Sequence, residues 1–157
     1  MCKFEEGMNI LNVRFGNGKD NVIALATISQ ELSASGHPKP CVRDVDAFYE
    51  DGVFYIVTHA QSNKIKQIEL NPEVSISANF ADFYSSGLGK NLGWVLDAEN
   101  AKIRAKLREV FKAWYDFANN EQDKSCCILA VRMTKGVLRI NHGEKLYRFD
   151  FEHKTVD

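Results

Sequence analysis

Thr58-His59-Ala60-Gln61-Ser62-Asn63-Lys64 joins an apolar run, Val53 to Thr58, to a segment, Ser62 to Leu70, that places Ile65 and Ile68 on one face. A strand therefore ends where a short helix begins. The helix stops at Asn71-Pro72, because the residue before a proline is driven out of the helical region. The first N–H groups of a helix lack an internal partner and favour negative charge. Together with the hydroxyls of Thr58 and Ser62 and the ammonium of Lys64, they offer an anion several donors at one point, and a phosphate suits that description. A helix terminus contributes only about 0.3–1 kcal/mol to an exposed anion, so a dianion also needs side-chain cations. Lys64 and Arg43 are the available ones. By spacing alone the plainer account is that Ser62 caps the helix and Lys64 is a solvated surface lysine, since caps of this kind are common.

Working outward, Cys41 to Tyr49 and Val53 to Thr58 are rich in strand-forming residues and flank a Glu50-Asp51-Gly52 turn, which makes them a hairpin. Val22 to Ser29 reads as a preceding strand, and Glu73 to Phe80 alternates polar with apolar and resumes the sheet. Phe4, Met8, Leu11 and Phe15 recur at helical spacing ahead of Gly16 and Gly18, where a helix would stop. From Asp97 to Asn119 the residues Ile103, Leu107, Val110, Phe111 and Trp114 repeat at three and four, which predicts one long helix with Asp97 as its N-cap. Strands at Cys126 to Thr134, Gly136 to Ile140 and Lys145 to Phe151 follow, the last two joined at Asn141-His142-Gly143. A mainly β chain with six or so antiparallel strands and few helices favours a closed or nearly closed barrel, because closure removes exposed sheet edges.

At 157 residues, without internal repeats or a linker, the chain reads as one domain, 1–157. A net charge of −1 gives no basic field of the kind that nucleic acid or an anionic membrane attracts, and no apolar window approaches a membrane span. Met1 to Asn12 has no continuous apolar stretch, and the expected location is the cytoplasm. Cys2, Cys41, Cys126 and Cys127 lack metal-ligand spacing and are expected to be reduced thiols, with adjacent Cys126 and Cys127 pointing to opposite faces of a strand. His37, His59, His142 and His153 are scattered and read as solvated. Gly87-Leu88-Gly89-Lys90-Asn91-Leu92-Gly93 does not match a dinucleotide-binding glycine spacing and is expected to be a flexible loop. Gly16-Asn17-Gly18-Lys19 follows a helix and is its stop, not a phosphate loop. No carboxylate pair or nucleophile elbow offers an acid-base hydrolase, so no catalytic acid or base is assigned.

The run Thr58…Ser62-Asn63-Lys64…Gln67-Ile68-Glu69…Asn71-Pro72-Glu73-Val74-Ser75 resembles, without a gap, the T-x-x-x-S-x-K-x-x-Q-I-E-x-N-P-x-V-S stretch of the pyridoxamine 5′-phosphate oxidase-like split-barrel flavoproteins. Pro40-Cys41-Val42-Arg43 is similar to that family's P-x-x-R strand, and the likeness runs over roughly residues 22–78. It implies a split β-barrel, a six-stranded antiparallel barrel of Greek-key type with flanking helices, that binds FMN and works as a homodimer. By the same resemblance Arg43, Ser62 and Lys64 hold the phosphate, Thr58 and Asn63 the phosphate or ribityl chain, and Val45 and Val57 lie along the ring. Family members complete each flavin site from a partner subunit, and Gly89 to Trp94, with Trp94 near the ring, is the candidate contribution.

Departures from the family shape the functional expectation. Its true pyridoxamine-phosphate oxidases carry a lysine where this chain has Phe48 and an arginine where it has Asn63, and they end in a Trp/Arg-rich segment unlike Lys145 to Asp157. The chain resembles instead the general-stress and nitroimidazole-reductase-like branches. What this implies is an FMN-dependent oxidoreductase for a small molecule, with a reduced nicotinamide as electron donor, and not a vitamin B6 oxidase. The alternatives are a flavin-binding stress protein without turnover and a haem binder in which a histidine such as His59 ligates iron.

Overall fold

The Asp51-Gly52 dipeptide sets the first register. Both residues hold positive φ, 46° and 87°, as a two-residue turn of the primed type requires, and Glu50 faces Val53 across it. The computed structural model describes residues 1–78 and 81–157. In chain order it contains α1 (Lys3–Phe15), β1 (Asn21–Leu32), β2 (Pro38–Glu50), β3 (Val53–His59), α2 (Asn63–Leu70), β4 (Glu73–Ala78), β5 (Phe83–Trp94), α3 (Ala101–Val110), α4 (Tyr115–Ala118), β6 (Cys126–Ile140), β7 (Lys145–Asp150) and β8 (Thr155–Val156). The fourth strand was expected to reach Phe80, but Asn79 and Phe80 lie outside the described residues.

The strands pair in the order β3-β2-β1-β4-β5-β6, and β3 pairs with β6, so an antiparallel six-stranded barrel closes on itself. β7 and β8 extend the sheet beyond β6. Alternate residues fill the interior: Ile23 and Leu25, Ala47 and Tyr49, Phe54 and Ile56, Val74 and Ile76 are all buried. α1 closes the hairpin end, with Phe15 edge-on to Tyr49 and Phe54 at 5.9 and 5.8 Å. α2 buries Ile65 and Ile68 in the same core from the end where β3 finishes.

β2 and β3 pair only through Phe48–Tyr55, Tyr49–Phe54 and Glu50–Val53. Beyond those rungs they diverge, and the barrel is split. A second apolar cluster covers its outside, where Leu107, Phe111 and Tyr115 pack with Phe48, Val95, Cys126 and Ile128. Cys127 faces the main core and Cys126 this second cluster, so the neighbouring thiols do point to opposite faces.

Four sequence expectations change. Gly87 to Gly93 is not a flexible loop but part of β5; Gly87 and Gly89 answer to close packing, and Gly93 holds a positive φ of 89°. A Cβ on Gly87 would stand 2.8 Å from the Arg132 carbonyl oxygen, and one on Gly89 would stand 2.9 Å from Ile68 Cγ2. The expected helix from Asp97 to Asn119 is broken into a 3-10 turn at Ala98–Asn100, α3 and α4. Aromatic residues from Phe111 to Phe117 hold a helix weakly, and the backbone leaves it at Phe111 (φ −99°, ψ 18°) and Trp114 (φ −140°, ψ −7°) so that Phe111 and Tyr115 are both buried. Asp97 precedes the 3-10 turn and makes no side-chain cap. Cys126 to Ile140 is one strand rather than two, since Gly136 stays in register opposite Ser85 and Phe149. β8 had no counterpart in the sequence reading. Among the described residues, no helix is long and apolar enough to cross a membrane.

Gly89 is what lets α2 seat on β5. Gly89→Ala is expected to destabilise the protein by about 1–3 kcal/mol, the range for overpacking a filled site. Urea unfolding measures it, and an unchanged midpoint would show that Ile68 yields freely.

Candidate functional site

Where β2 and β3 part, each is already paired on its far side: Val45 with Ile23 and Arg43 with Leu25 in β1, Val57 with Ile128 and Thr58 with Cys127 in β6. Their facing edges therefore carry backbone donors and acceptors without a ladder partner. The gap is a cleft of 500 Å³ lined by Val45, Asp46, Ile56, Val57, Thr58 and Lys64, and walled on the outer side by Trp114, Asn119 and Asn120. Its lining is mixed: Val45, Ile56, Val57 and Trp114 are apolar, Thr58 and Lys64 stand at the α2 end, and Asp46, Asn119, Asn120 and Asp123 add polar groups elsewhere.

That end gathers positive charge. Lys64 Nζ donates to Thr58 Oγ1 at 2.9 Å. Burial, and secondarily the Arg43 guanidinium, hold the Lys64 ammonium below the usual lysine range, while the nearby Cys127 sulfur opposes the shift. Burial pushes the Cys127 thiol up to about 11, so it stays neutral at neutral pH and does not balance the lysine. Among the described residues neither Lys64 nor Arg43 is in an ion pair with a carboxylate. The first intrahelical bond of α2 runs from Lys66 N–H to Ser62 O, leaving the amides of Asn63, Lys64 and Ile65 ahead of it. Ser62 occupies the N-cap position with extended backbone, yet its hydroxyl makes no cap bond. Its Oγ is buried and has no partner among the described residues.

The sequence-predicted residues fall into three groups. Val45, Val57, Thr58 and Lys64 line the cleft together. Ser62 and Asn63 stand at the helix start beside it, Ser62 with its buried hydroxyl and Asn63 exposed. Arg43 is more committed than its sequence role implies. It lies in the barrel mouth, donating to Thr27 Oγ1 at 2.6 Å, to Gln67 Oε1 at 3.1 Å and to the Leu25 carbonyl at 3.3 Å. Thr27 in turn donates to Gln67 Oε1 at 2.5 Å, so Arg43 ties β1 and β2 to α2 while adding its charge to the site. Trp94 does not line the cleft. It packs in its own chain's second cluster, donates from Nε1 to the Glu121 carbonyl at 2.8 Å and carries the Lys124 ammonium 5.8 Å above its ring.

Sequence reasoning missed Trp114 and Asp123 and raised His59 only as an iron ligand; all three line the cleft. Trp114 was read as one member of a helix face, and only the helix break turns it to the cleft. His59 Nδ1 accepts from the Gln61 N–H at 3.2 Å and its Nε2 stands 3.3 Å from Asp123 Oδ2, so both ring nitrogens are engaged. The wall that bears Trp114 is anchored by Glu121, which accepts from Arg104 at 2.8 and 2.6 Å and from the Tyr115 hydroxyl at 2.9 Å, with Arg108 at 3.1 Å. The Arg104 bonds, reinforced by Tyr115 and Arg108, hold the Glu121 carboxyl down at about 2 against the opposing effect of burial.

No protein-family model and no curated protein matches the sequence. The fold is nonetheless shared with solved structures. A pyridoxamine 5′-phosphate oxidase-related, FMN binding protein from Nostoc punctiforme superposes with a TM-score of 0.58 at 16% identity, over 94% of this chain and 89% of that one. A NimC/NimA family protein from Clostridium acetobutylicum gives 0.60 at 20%, over 93% and 94%. A heme binding protein from Mycobacterium smegmatis gives 0.61 at 14%, over 87% of this chain and 55% of that one. At these identities the likeness establishes the architecture: this chain is built on the split barrel that the resemblance in its Thr58–Ser75 stretch implied.

A buried hydroxyl without a partner costs stability that its removal returns. Ser62→Ala is accordingly expected to raise the stability of the ligand-free protein by about 1 kcal/mol, read from its urea midpoint, while weakening any phosphate-bearing ligand. A loss of stability in the free protein would mean that the hydroxyl is serving the helix after all.

Proposed function

We propose that the chain is an FMN-binding oxidoreductase that acts on a small molecule, with the phosphate at the α2 end and the flavin ring along the split between β2 and β3. The observation that carries this reading is a cleft between two unpaired strand edges, with Val45, Val57 and Trp114 in its wall, that ends at Lys64 and at a Ser62 hydroxyl that is buried and unpartnered among the described residues. Lys64, Ser62 and the leading amides of α2 would hold the phosphate, with Arg43 adding charge from behind. Thr58 and Asn63 would meet the phosphate or ribityl chain, and Val45 and Val57 would lie against the ring. The strand edges would fix the ring's polar rim through backbone groups, which tune its potential without a catalytic acid or base. Bound flavin supplies the redox chemistry itself. A reduced nicotinamide as donor and a cytoplasmic setting belong to the same reading. Vitamin B6 oxidation does not, because Phe48 and Asn63 stand where that activity's cations are expected.

The haem alternative draws support from the Mycobacterium smegmatis neighbour. His59 speaks against it, since iron would have to displace either the Gln61 amide or Asp123 from its ring. An absorption spectrum of the purified protein loaded with each cofactor separates paired flavin bands from a single Soret band. Reduction of the bound flavin by NADH or NADPH then separates an enzyme from a carrier.

The homodimer belongs to this reading too, and the outer face of the barrel supplies a surface for it. Ala24, Ala26, Ser75, Ser77 and Ser86 leave that face low and open, in a groove of 680 Å³ bordered by Val42 and Tyr84. Its charges are mixed: Lys135 and Arg148 line it together with Asp150 and Asp157.

Lys64→Ala is expected to weaken FMN by about 1.5–3 kcal/mol, the range for a hydrogen bond to a charged group, and to leave riboflavin nearly unchanged. Equal losses for both would remove Lys64 from the phosphate. Because the phosphate binds the ammonium form, FMN affinity is held at neutral pH and falls as pH rises through the lowered Lys64 pKa, a slope that titration calorimetry of the variant should lack. If the site is completed across the dimer, adding FMN tightens self-association. Analytical ultracentrifugation over a dilution series measures this, and tight stoichiometric binding by a monomer would refute the shared site.

A further inference from the structure

The break in the predicted long helix has a chemical consequence inside the cleft. α3 ends at Val110, the backbone leaves the helical region at Phe111 and again at Trp114, and the indole comes to line the cleft that also contains Val45 and Val57. Its position is fixed from two sides. The ring stacks on Phe111 with centroids 4.7 Å apart and planes 26° from parallel, and Nε1 donates to Asp20 Oδ2 at 3.2 Å. Phe111 is itself buried, and the segment that follows is tied down through Tyr115 and Glu121, so the indole cannot leave without dismantling the second core. It is only half-buried, which leaves indole surface facing the cleft.

We infer that Trp114, from the same chain, is the aromatic wall against which the flavin ring packs, and that it positions the ring in the split. This rests on the flavin reading above and deepens it. The ligand chemistry follows from the cleft. A planar, electron-poor heteroaromatic fits between apolar strand residues and an electron-rich indole, and offset or tilted stacking adds to plain burial. Trp94, the aromatic that the sequence put forward for contact from a partner subunit, is packed against Glu121 and Lys124 and does not line the cleft of its own chain. Trp114 supplies this ring contact from within one chain.

The test compares FMN and riboflavin, because the ring is common to both while the phosphate is not. Trp114→Leu is expected to weaken both ligands by the same factor, roughly 2- to 10-fold, in contrast to Lys64→Ala, which touches FMN alone. An indole against the ring also donates an electron to the excited flavin, so bound flavin should be dim in the wild type and brighter in Trp114→Leu. Trp114→Phe preserves the packing on Phe111 and should keep most of the affinity, yet its bound flavin should also brighten. Should Trp114→Leu not fold, the emission of Trp114→Phe decides alone. Unchanged dissociation constants for both ligands in a folded Trp114→Leu, or bound flavin as dim in Trp114→Phe as in the wild type, overturns the assignment. If the wild type binds neither FMN nor riboflavin, the flavin reading itself is what fails.

Discussion

The parting of β2 from β3 is the constraint that organises the rest of the molecule. Backbone N–H and C=O groups taken from water must be paired, and a barrel normally pairs them all around its circumference. Here the pairing stops after the Phe48–Tyr55 rung, although both strands continue and are held on their far sides by β1 and β6. Everything nearby is arranged around that open seam. α2 plugs its end, the turn into α2 brings Lys64 and Ser62 to it, and the α3–α4 segment walls its outer side instead of sealing it with aliphatic side chains.

Electrostatics and packing place the polar end of the seam together. Arg43 would be a poor free cation, because Thr27, Gln67 and the Leu25 carbonyl already hold it, but the same bonds lock α2 to the sheet and fix where Lys64 points. Neither cation is in an ion pair with a carboxylate among the described residues, so an anion placed in this half-buried mouth would meet both. Gly89 serves the same end from below, since only a residue without a side chain lets Ile68 descend far enough to seat the helix.

Much of this was legible in the sequence because it is local. The hairpin at Asp51-Gly52, the helix from Ser62 to Asn71-Pro72 and the inward alternation of β1 to β4 follow from turn chemistry and period-two patterning. Lys64, Thr58, Val45 and Val57 meet in the cleft because short connections bring adjacent elements together. The failures were of another kind. Gly87 and Gly89 looked like a loop because glycine is scarce in strands, and their reason, contact with Arg132 and Ile68, is tertiary. The helix from Asp97 was overextended because its three-and-four spacing continues through Trp114, whereas packing of Phe111 and Tyr115 breaks it. Trp114 entered the cleft by that break, which no periodicity announces.

The seam that closes the barrel joins β3 to β6, from Val53 opposite Arg132 to His59 opposite Cys126. This ladder links parts of the chain far apart in sequence, so it is costly in loop closure and forms late. Until β6 emerges from the ribosome, β3 exposes a row of unpaired N–H and C=O groups on one side and the split on the other. A nascent chain halted between α2 and β6 is consequently the most adhesive form of this protein, prone to add strands from its neighbours and a natural client for chaperones.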